Sequence, residues 1–180
     1  MEFENVINKR TSIRSYQSTP ISDETLRFIL HAAQLAPSWM NKQCWHFIIV
    51  NKTTLIEEIA KTSLINRWVK QAPALIVACA DPHESGTNNN IPYYTVDVAI
   101  AMEHIVLAAT DQGLGTCWIG SFDEQKLKTI LEIPPRIRII AYTPLGYPNE
   151  KQTVTDKSRT FFARSTKRKP ISKISHYNQW

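Results

Sequence analysis

The segment that most constrains this chain is residues 74–80, Ala-Leu-Ile-Val-Ala-Cys-Ala. Seven apolar residues with no polar alternate do not suit a strand with one wet face, so they read as a strand buried on both sides. Such a strand needs packed layers above and below it. The flanking sequence offers them. Residues 3–9 read as a short helix. Ser22 is a good N-cap, Asp23 and Glu24 suit a helix's positive end, and Leu26, Ile29, Leu30, Ala33 and Leu35 recur with helical period. That helix must stop near Pro37. Trp45 to Val50 is aromatic and β-branched, hence a strand. Thr54 and Glu57 have the spacing of a capping box for a helix over about 55–62. Residues 81–92, with Ser-Gly-Thr-Asn-Asn-Asn inside, read as a polar, mobile lid. Residues 94–112 form the longest helix. It carries one stripe of Val98, Met102, Ile105 and Ala109, has Ile100 and Leu107 elsewhere, and stops at Gly113. A strand at 116–119, a helix opened by Asp123 and a strand at 138–143 complete the core. Pro144, Gly146 and Pro148 are expected to break regular structure after it. This predicts a core over residues 1–150.

Charge is distributed unevenly. The net charge is +5, yet residues 151–180 alone hold eight Lys or Arg against one acid, Asp156. The tail therefore carries the basic excess, as a polynucleotide contact, a counter-charge for a bound phosphate, or a solvated arm. It is too polar for a second core and is expected to pack on the core or on a partner. No apolar run approaches a membrane span, no signal peptide is visible at the start, and Cys44, Cys79 and Cys117 have no CxxC spacing. A cytoplasmic protein with reduced thiols, away from the membrane, is expected.

The usual nucleotide and metal signatures are missing: there is no GxxxxGK[ST], no GxGxxG and no HExxH, and the five histidines are scattered. No metal site and no catalytic side chain are expected. Two other segments stand out. In Arg10-Thr11-Ser12-Ile13-Arg14, arginines four apart flank hydroxyl residues at a helix-to-loop junction, a donor set suited to a phosphate. Taken alone, it is equally an exposed basic turn. In Pro37-Ser38-Trp39-Met40-Asn41-Lys42-Gln43-Cys44-Trp45, polar amides beside tryptophans suit a flat heteroaromatic ring. Taken alone, it is equally an ordinary helix-to-strand loop.

Together, Arg10-Thr11-Ser12-Ile13-Arg14-x-Tyr16, Ala-Ala-x-x-Ala-Pro-Ser-x-x-Asn-x-Gln-x-Trp over 32–45, Gly-Leu-Gly-Thr-Cys-Trp-Ile-Gly over 113–120 and the ending Arg168-Lys169-Pro170-Ile171 resemble the nitroreductase family of flavoproteins. The resemblance implies an α+β fold with a mixed central sheet flanked by helices and an extended C-terminal arm. It further implies a domain-intertwined homodimer with FMN at the interface. The implied activity passes hydride from NADH or NADPH through FMN to a small-molecule acceptor, a nitroaromatic, quinone or similar compound. By position, Arg10, Thr11, Ser12 and Arg14 fall in the segment for the phosphate and ribityl chain, and Arg168 or Lys169 reaches the same phosphate. Pro37, Ser38, Trp39, Asn41 and Gln43 come from the neighbouring subunit. Asn66 serves as a ring-edge amide, while Ile119 and Gly120 lie against the ring. The helix over 94–112 is the implied interface helix. The chain departs from the family pattern at Thr11, where a basic residue is frequent, at Cys44, where proline is usual, and at Trp39, where a small residue is common.

With the chemistry on the flavin, a missing acid–base pair is expected, and one pocket serving donor and acceptor in turn predicts ping-pong kinetics. The alternatives are a specialised relative that removes halogen or consumes its flavin, a protein that only sequesters flavin, and, most distantly, a nucleic-acid binder working through the tail.

Overall fold

The structure is a computed structural model that describes residues 1–149 and 168–180. Four strands form one sheet: β1 (Trp45–Val50), β2 (Ala74–Ala80), β5 (Gly115–Thr116) and β6 (Arg138–Gly146), in the order β1-β2-β6-β5. These strands pair antiparallel, and the parallel component of the sheet is a single bridge of Ser12 with Thr116. As expected, every residue of β2 is buried. The pleat divides its side chains between two cores. Ile76, Ala78 and Ala80 join Ile29, Ala33, Val98, Met102 and Ile105 from α2 (Asp23–Gln34) and α4 (Tyr93–Asp111). Leu75, Val77 and Cys79 face the opposite way. They meet Ile56, Ile59, Trp68 and Leu127, around α3 (Thr53–Ala60) and α5 (Glu124–Ile130). Each fully buried Leu, Ile or Val contributes about 1.5–3 kcal/mol, so this strand holds both layers.

Local signals place most helix ends. The Ser22 side chain accepts from Thr25 N at 3.1 Å, and Asp123 accepts from Lys126 N at 3.1 Å. Gly113 closes α4 with φ +74°, a left-handed conformation that glycine adopts without steric cost. The first helix, α1 (Phe3–Lys9), lies against α4, and the chain's amino group pairs with Asp111 at the end of α4.

Four expectations are corrected. The helix α3 begins at Thr53 with Lys52 at its N-cap and no side-chain cap. Thr54 is thus already inside the first turn and cannot cap it. Residues 81–92, expected as a polar loop, hold regular elements. Asp81 caps a 3-10 turn by accepting from His83 N at 3.0 Å, and a hairpin follows, β3 (Thr87–Asn88) with β4 (Ile91–Pro92). Asn89 and Asn90 hold φ of 49° and 61°, the left-handed pair that a two-residue hairpin turn requires. The strand expected over 116–119 is split: β5 ends at Thr116, Cys117 N donates to Thr143 Oγ1 at 3.0 Å, and Ile119 rejoins the sheet by a bridge to Tyr142. Finally, β6 does not stop before Pro144 but runs to Gly146, with Pro144 opposite Leu75.

The expected boundary between core and arm, residues 150–151, and the tail up to residue 167 lie outside the described residues. The described end, from Arg168, is exposed and carries a 3-10 turn at Ile171–Lys173.

Two outcomes follow from the core. Burial pushes the Cys44 thiol up to about 11 and the Cys79 thiol up to about 12, whereas an unfolded thiol ionises near pH ~8.5. Between those values the unfolded chain has lost protons that the native chain keeps. Native stability therefore falls as pH rises above about 9, by about 1.4 kcal/mol per thiol per pH unit. Thermal melts at about pH 8 and pH 10 should show a clear drop, and coincident melts would contradict it. Among the described residues, the Tyr142 hydroxyl is buried without a hydrogen-bond partner. Removing an unsatisfied buried hydroxyl recovers about 1 kcal/mol or more, so Tyr142→Phe should raise the midpoint of chemical denaturation rather than lower it.

Candidate functional site

The basic segment begins where α1 ends. Arg10 N donates to Val6 O at 2.9 Å, and the chain then runs extended along the sheet edge, with Ile13 N donating to Thr116 O at 2.8 Å. Tyr16 Oη donates to Ile13 O at 2.6 Å and fixes the exit. Alternate residues of an extended chain face opposite ways. Thr11 and Ile13 line a pocket of about 180 Å³ with Lys9, Thr110, Gly113 and Gly115. Gly115 is needed there, since a Cβ at that position would sit 2.7 Å from Ile13 Cβ. Arg10, Ser12 and Arg14 face the other way, toward Cys117. Burial raises the Cys117 thiol pKa, while Arg14, a hydrogen bond with Ser12, and Arg10 pull it back. Arg14 Nη1 also donates to Ser12 O at 3.3 Å. Alternation thus places three of the four expected phosphate-segment residues on one face of the segment, where their charge and hydrogen bonding reach Cys117, and puts Thr11 on the other.

The polar loop is a self-bonded unit. After α2, Pro37 is exposed and Ser38 is extended. Met40, Asn41 and Gln43 then take φ of 47°, 55° and 51°. Ser38 Oγ accepts from Gln43 N at 2.9 Å, closing the loop, and Gln43 Nε2 donates to Asn41 Oδ1 at 3.1 Å. The polar groups of Ser38, Asn41 and Gln43 are therefore brought together. Trp39 lies apart from them, its ring 4.1 Å from that of Tyr93 and against Gly86. Its amide donates to Asp97 Oδ1 at 2.8 Å.

A third region lies beside the Cys117 segment. Asn66 is buried, and its Nδ2 donates to Ser63 Oγ at 3.2 Å and to Ser121 O at 3.0 Å. Both amide hydrogens are thus engaged in lacing residues 63–66 to residue 121. Ile119 is absorbed by the fold: its side chain is in the core, and its N–H and C=O both pair with Tyr142. Gly120 differs. It is exposed, and among the described residues no atom beyond its chain neighbours lies within 4 Å of where its Cβ would stand. Around it, Trp118, Leu64 and Ile65 expose large apolar surfaces. Arg168 and Lys169 are exposed at the start of the described tail, and the connection that would carry them to the core lies outside the described residues.

The arginine segment and the amide loop engage different levels of α4. Asp97 holds the loop, while at Glu103 partial burial raises the carboxyl pKa and Arg10 offsets part of that rise. Glu103 lies six residues, or about 9 Å of helix rise, further along. Among the described residues, no hydrogen bond or ion pair joins the two segments. Asp97 escaped the sequence reading. Its one signal is a lone acid in an otherwise apolar stretch of α4, where it is 2% exposed.

The model of the Nitroreductase family matches residues 7–66 and 56–147. A protein of Archaeoglobus fulgidus with the provisional name NADH dehydrogenase/NAD(P)H nitroreductase is 37% identical over 153 residues, covering 82% of this chain and 86% of its own. The FMN reductase [NAD(P)H] of Bacillus subtilis is 30% identical over 157 residues, covering 78% of this chain and 63% of its own. The crystal structure of a nitroreductase family protein from Clostridium novyi NT superposes with a TM-score of 0.81 at 45% identity, covering 83% of this chain and 87% of that one. The chain belongs to the nitroreductase family.

Proposed function

We propose that this protein is an FMN-dependent NAD(P)H oxidoreductase whose two halves of a flavin site, the arginine segment and the amide loop, are completed by a second copy of the chain. The observation that carries the reading is that the extended segment of Arg10, Ser12 and Arg14 is bridged to Thr116, the start of the stretch that leads to Gly120, where the position of a Cβ stands open among the described residues. Two guanidinium groups and a hydroxyl suit a phosphate ester, and a site without a Cβ lets a flat ring approach the backbone. The residues present therefore fit FMN. Relatives named NAD(P)H nitroreductase and FMN reductase support the same reading.

Bound FMN supplies hydride acceptance from a dihydronicotinamide and hydride delivery to an electrophilic acceptor. This chain's residues bind and orient. Arg10, Ser12 and Arg14 hold the phosphate and the adjoining ribityl hydroxyls, with Arg168 or Lys169 adding positive charge from the arm. Ser38, Asn41 and Gln43 offer a preformed set of amide and hydroxyl groups to the partner's ring and ribityl chain. Trp118, Leu64 and Ile65 exclude water around the ring position beside Gly120. No side chain is assigned a proton-transfer role, and one face over the ring serves donor and acceptor in turn. The acceptor class is a nitroaromatic or quinone.

The second copy is supported by apolar surface that a single chain leaves bare. Phe3, Phe28, Leu35 and Met40 are exposed on α1, α2 and the loop. Ile171, Ile174, Tyr177 and Trp180 are exposed along the described tail at three-residue spacing. Surface of this extent marks an interaction site. We place the dimer in the cytoplasm, where its three free thiols stay reduced. Among the described residues, no helix is long and apolar enough to cross a membrane.

The test is the visible spectrum of the protein loaded with FMN, under anaerobic conditions, before and after NADH or NADPH. Bleaching by a donor, with parallel double-reciprocal lines against a quinone, is expected. Arg14→Ala should weaken FMN binding about tenfold or more, since hydrogen bonds to charged groups are worth about 1.5–3 kcal/mol. A flavin that neither donor bleaches would favour a sequestering role. A protein that takes up no FMN, or binds DNA with steep salt dependence instead, would overturn the reading.

A further inference from the structure

Asp97 lies in the second turn of α4, 2% exposed, and accepts from three donors on two separate segments. Trp39 N donates to Oδ1 at 2.8 Å, Ser85 Oγ donates to Oδ2 at 3.1 Å, and Cys44 Sγ approaches Oδ2 at 3.5 Å. Among the described residues, no cation pairs with it. A buried carboxyl group is costly unless its oxygens are satisfied, so these donors and Asp97 depend on one another. The two loop donors bracket the strained stretch: Trp39 precedes Met40, Asn41 and Gln43, and Cys44 follows them. Left-handed conformations at residues with a Cβ persist only where the surroundings enforce them. The third donor, Ser85, belongs to the turn before the hairpin, which approaches the same loop a second time. Gly86 lies so close to Trp39 that a Cβ there would be 2.5 Å from the indole nitrogen, and Tyr93 N donates to Gly86 O at 2.8 Å.

We infer that Asp97 is a positioning residue that latches the amide loop, residues 38–44, and the 85–93 hairpin into one rigid unit, holding Ser38, Asn41 and Gln43 in their binding geometry. The inference rests on the reading that this loop contacts flavin, and it adds a residue that touches no flavin. Cys44 is part of the latch, because a proline at that position would bring no side-chain donor. The Ser38–Gln43 bond closes the loop on itself, but it fixes neither the loop's orientation on α4 nor its distance from the hairpin. Asp97 does both.

The experiment compares wild type, Asp97→Asn and Asp97→Leu by amide hydrogen exchange of the flavin-free protein and by FMN titration. An amide at 97 keeps the shape and an acceptor for Trp39 N, while its NH₂ faces oxygen and sulfur atoms able to accept. Asp97→Asn should therefore exchange at Trp39 and Gln43 within about threefold of wild type and bind FMN nearly as tightly. Asp97→Leu should exchange at least tenfold faster at both amides and bind FMN at least tenfold more weakly. If Asp97→Leu does not fold, Cys44→Ala with Ser85→Ala removes two donors and should accelerate the same amides. Unchanged exchange and affinity in these variants would overturn the inference. Loosened amides in a protein whose wild type binds no FMN would sustain the latch and overturn the flavin reading instead.

Discussion

Burial of β2 on both faces is the constraint from which the rest follows. With Leu75, Val77 and Cys79 on one side and Ile76, Ala78 and Ala80 on the other, the sheet must carry a helical layer on each face. The layer of α2 and α4 sets the geometry of the site. The 19-residue helix α4 is about 28 Å long, and it organises separate segments along its length. Its first turns hold the amide loop through Asp97, and α1, which leads into Arg10, lies against the same helix. The opposite layer, with α3 and α5, anchors the Asn66 loop to the strand-edge segment that ends in Gly120.

Much of this was legible because it is local. Ser22, Asp123 and Gly113 act within a turn of where they stand, so their chemistry announces helix ends. The pleated alternation of β2 needs only a count of apolar residues. The misreadings share a physical cause. The box at Thr54 and Glu57 has the right spacing, but the helix begins two residues earlier than that box requires, at Thr53. The 81–92 segment is polar, yet asparagine tolerates left-handed backbone, so Asn89 and Asn90 turn a hairpin within what composition reads as a loop. Pro144 lies within a strand because its register, not its residue type, decides the outcome.

The site shows the same division. Two arginines four apart were visible as a phosphate donor set. The orientation of Thr11, turned away into the pocket with Ile13 and Gly115, depends on the extended backbone that the Thr116 bridge imposes. The resemblance sets both Ile119 and Gly120 against the ring; the fold pairs the backbone of Ile119 with Tyr142 and buries its side chain, while Gly120 is exposed. Asp97 was hidden because its partners at 39, 44 and 85 lie in other segments, and only the folded chain brings them within bonding distance.

The central claim is that each flavin site takes its arginine segment from one copy and its amide loop from another. Mixed dimers test this most directly. One subunit would carry Arg10→Ala with Arg14→Ala, and the other Ser38→Ala, Asn41→Ala and Gln43→Ala. Each variant alone should bind no FMN. A site shared between subunits leaves the mixed dimer with one intact and one doubly damaged site, so it should recover one FMN per dimer. A mixed dimer that binds none would show that each chain builds its site from its own residues, and would contradict the account.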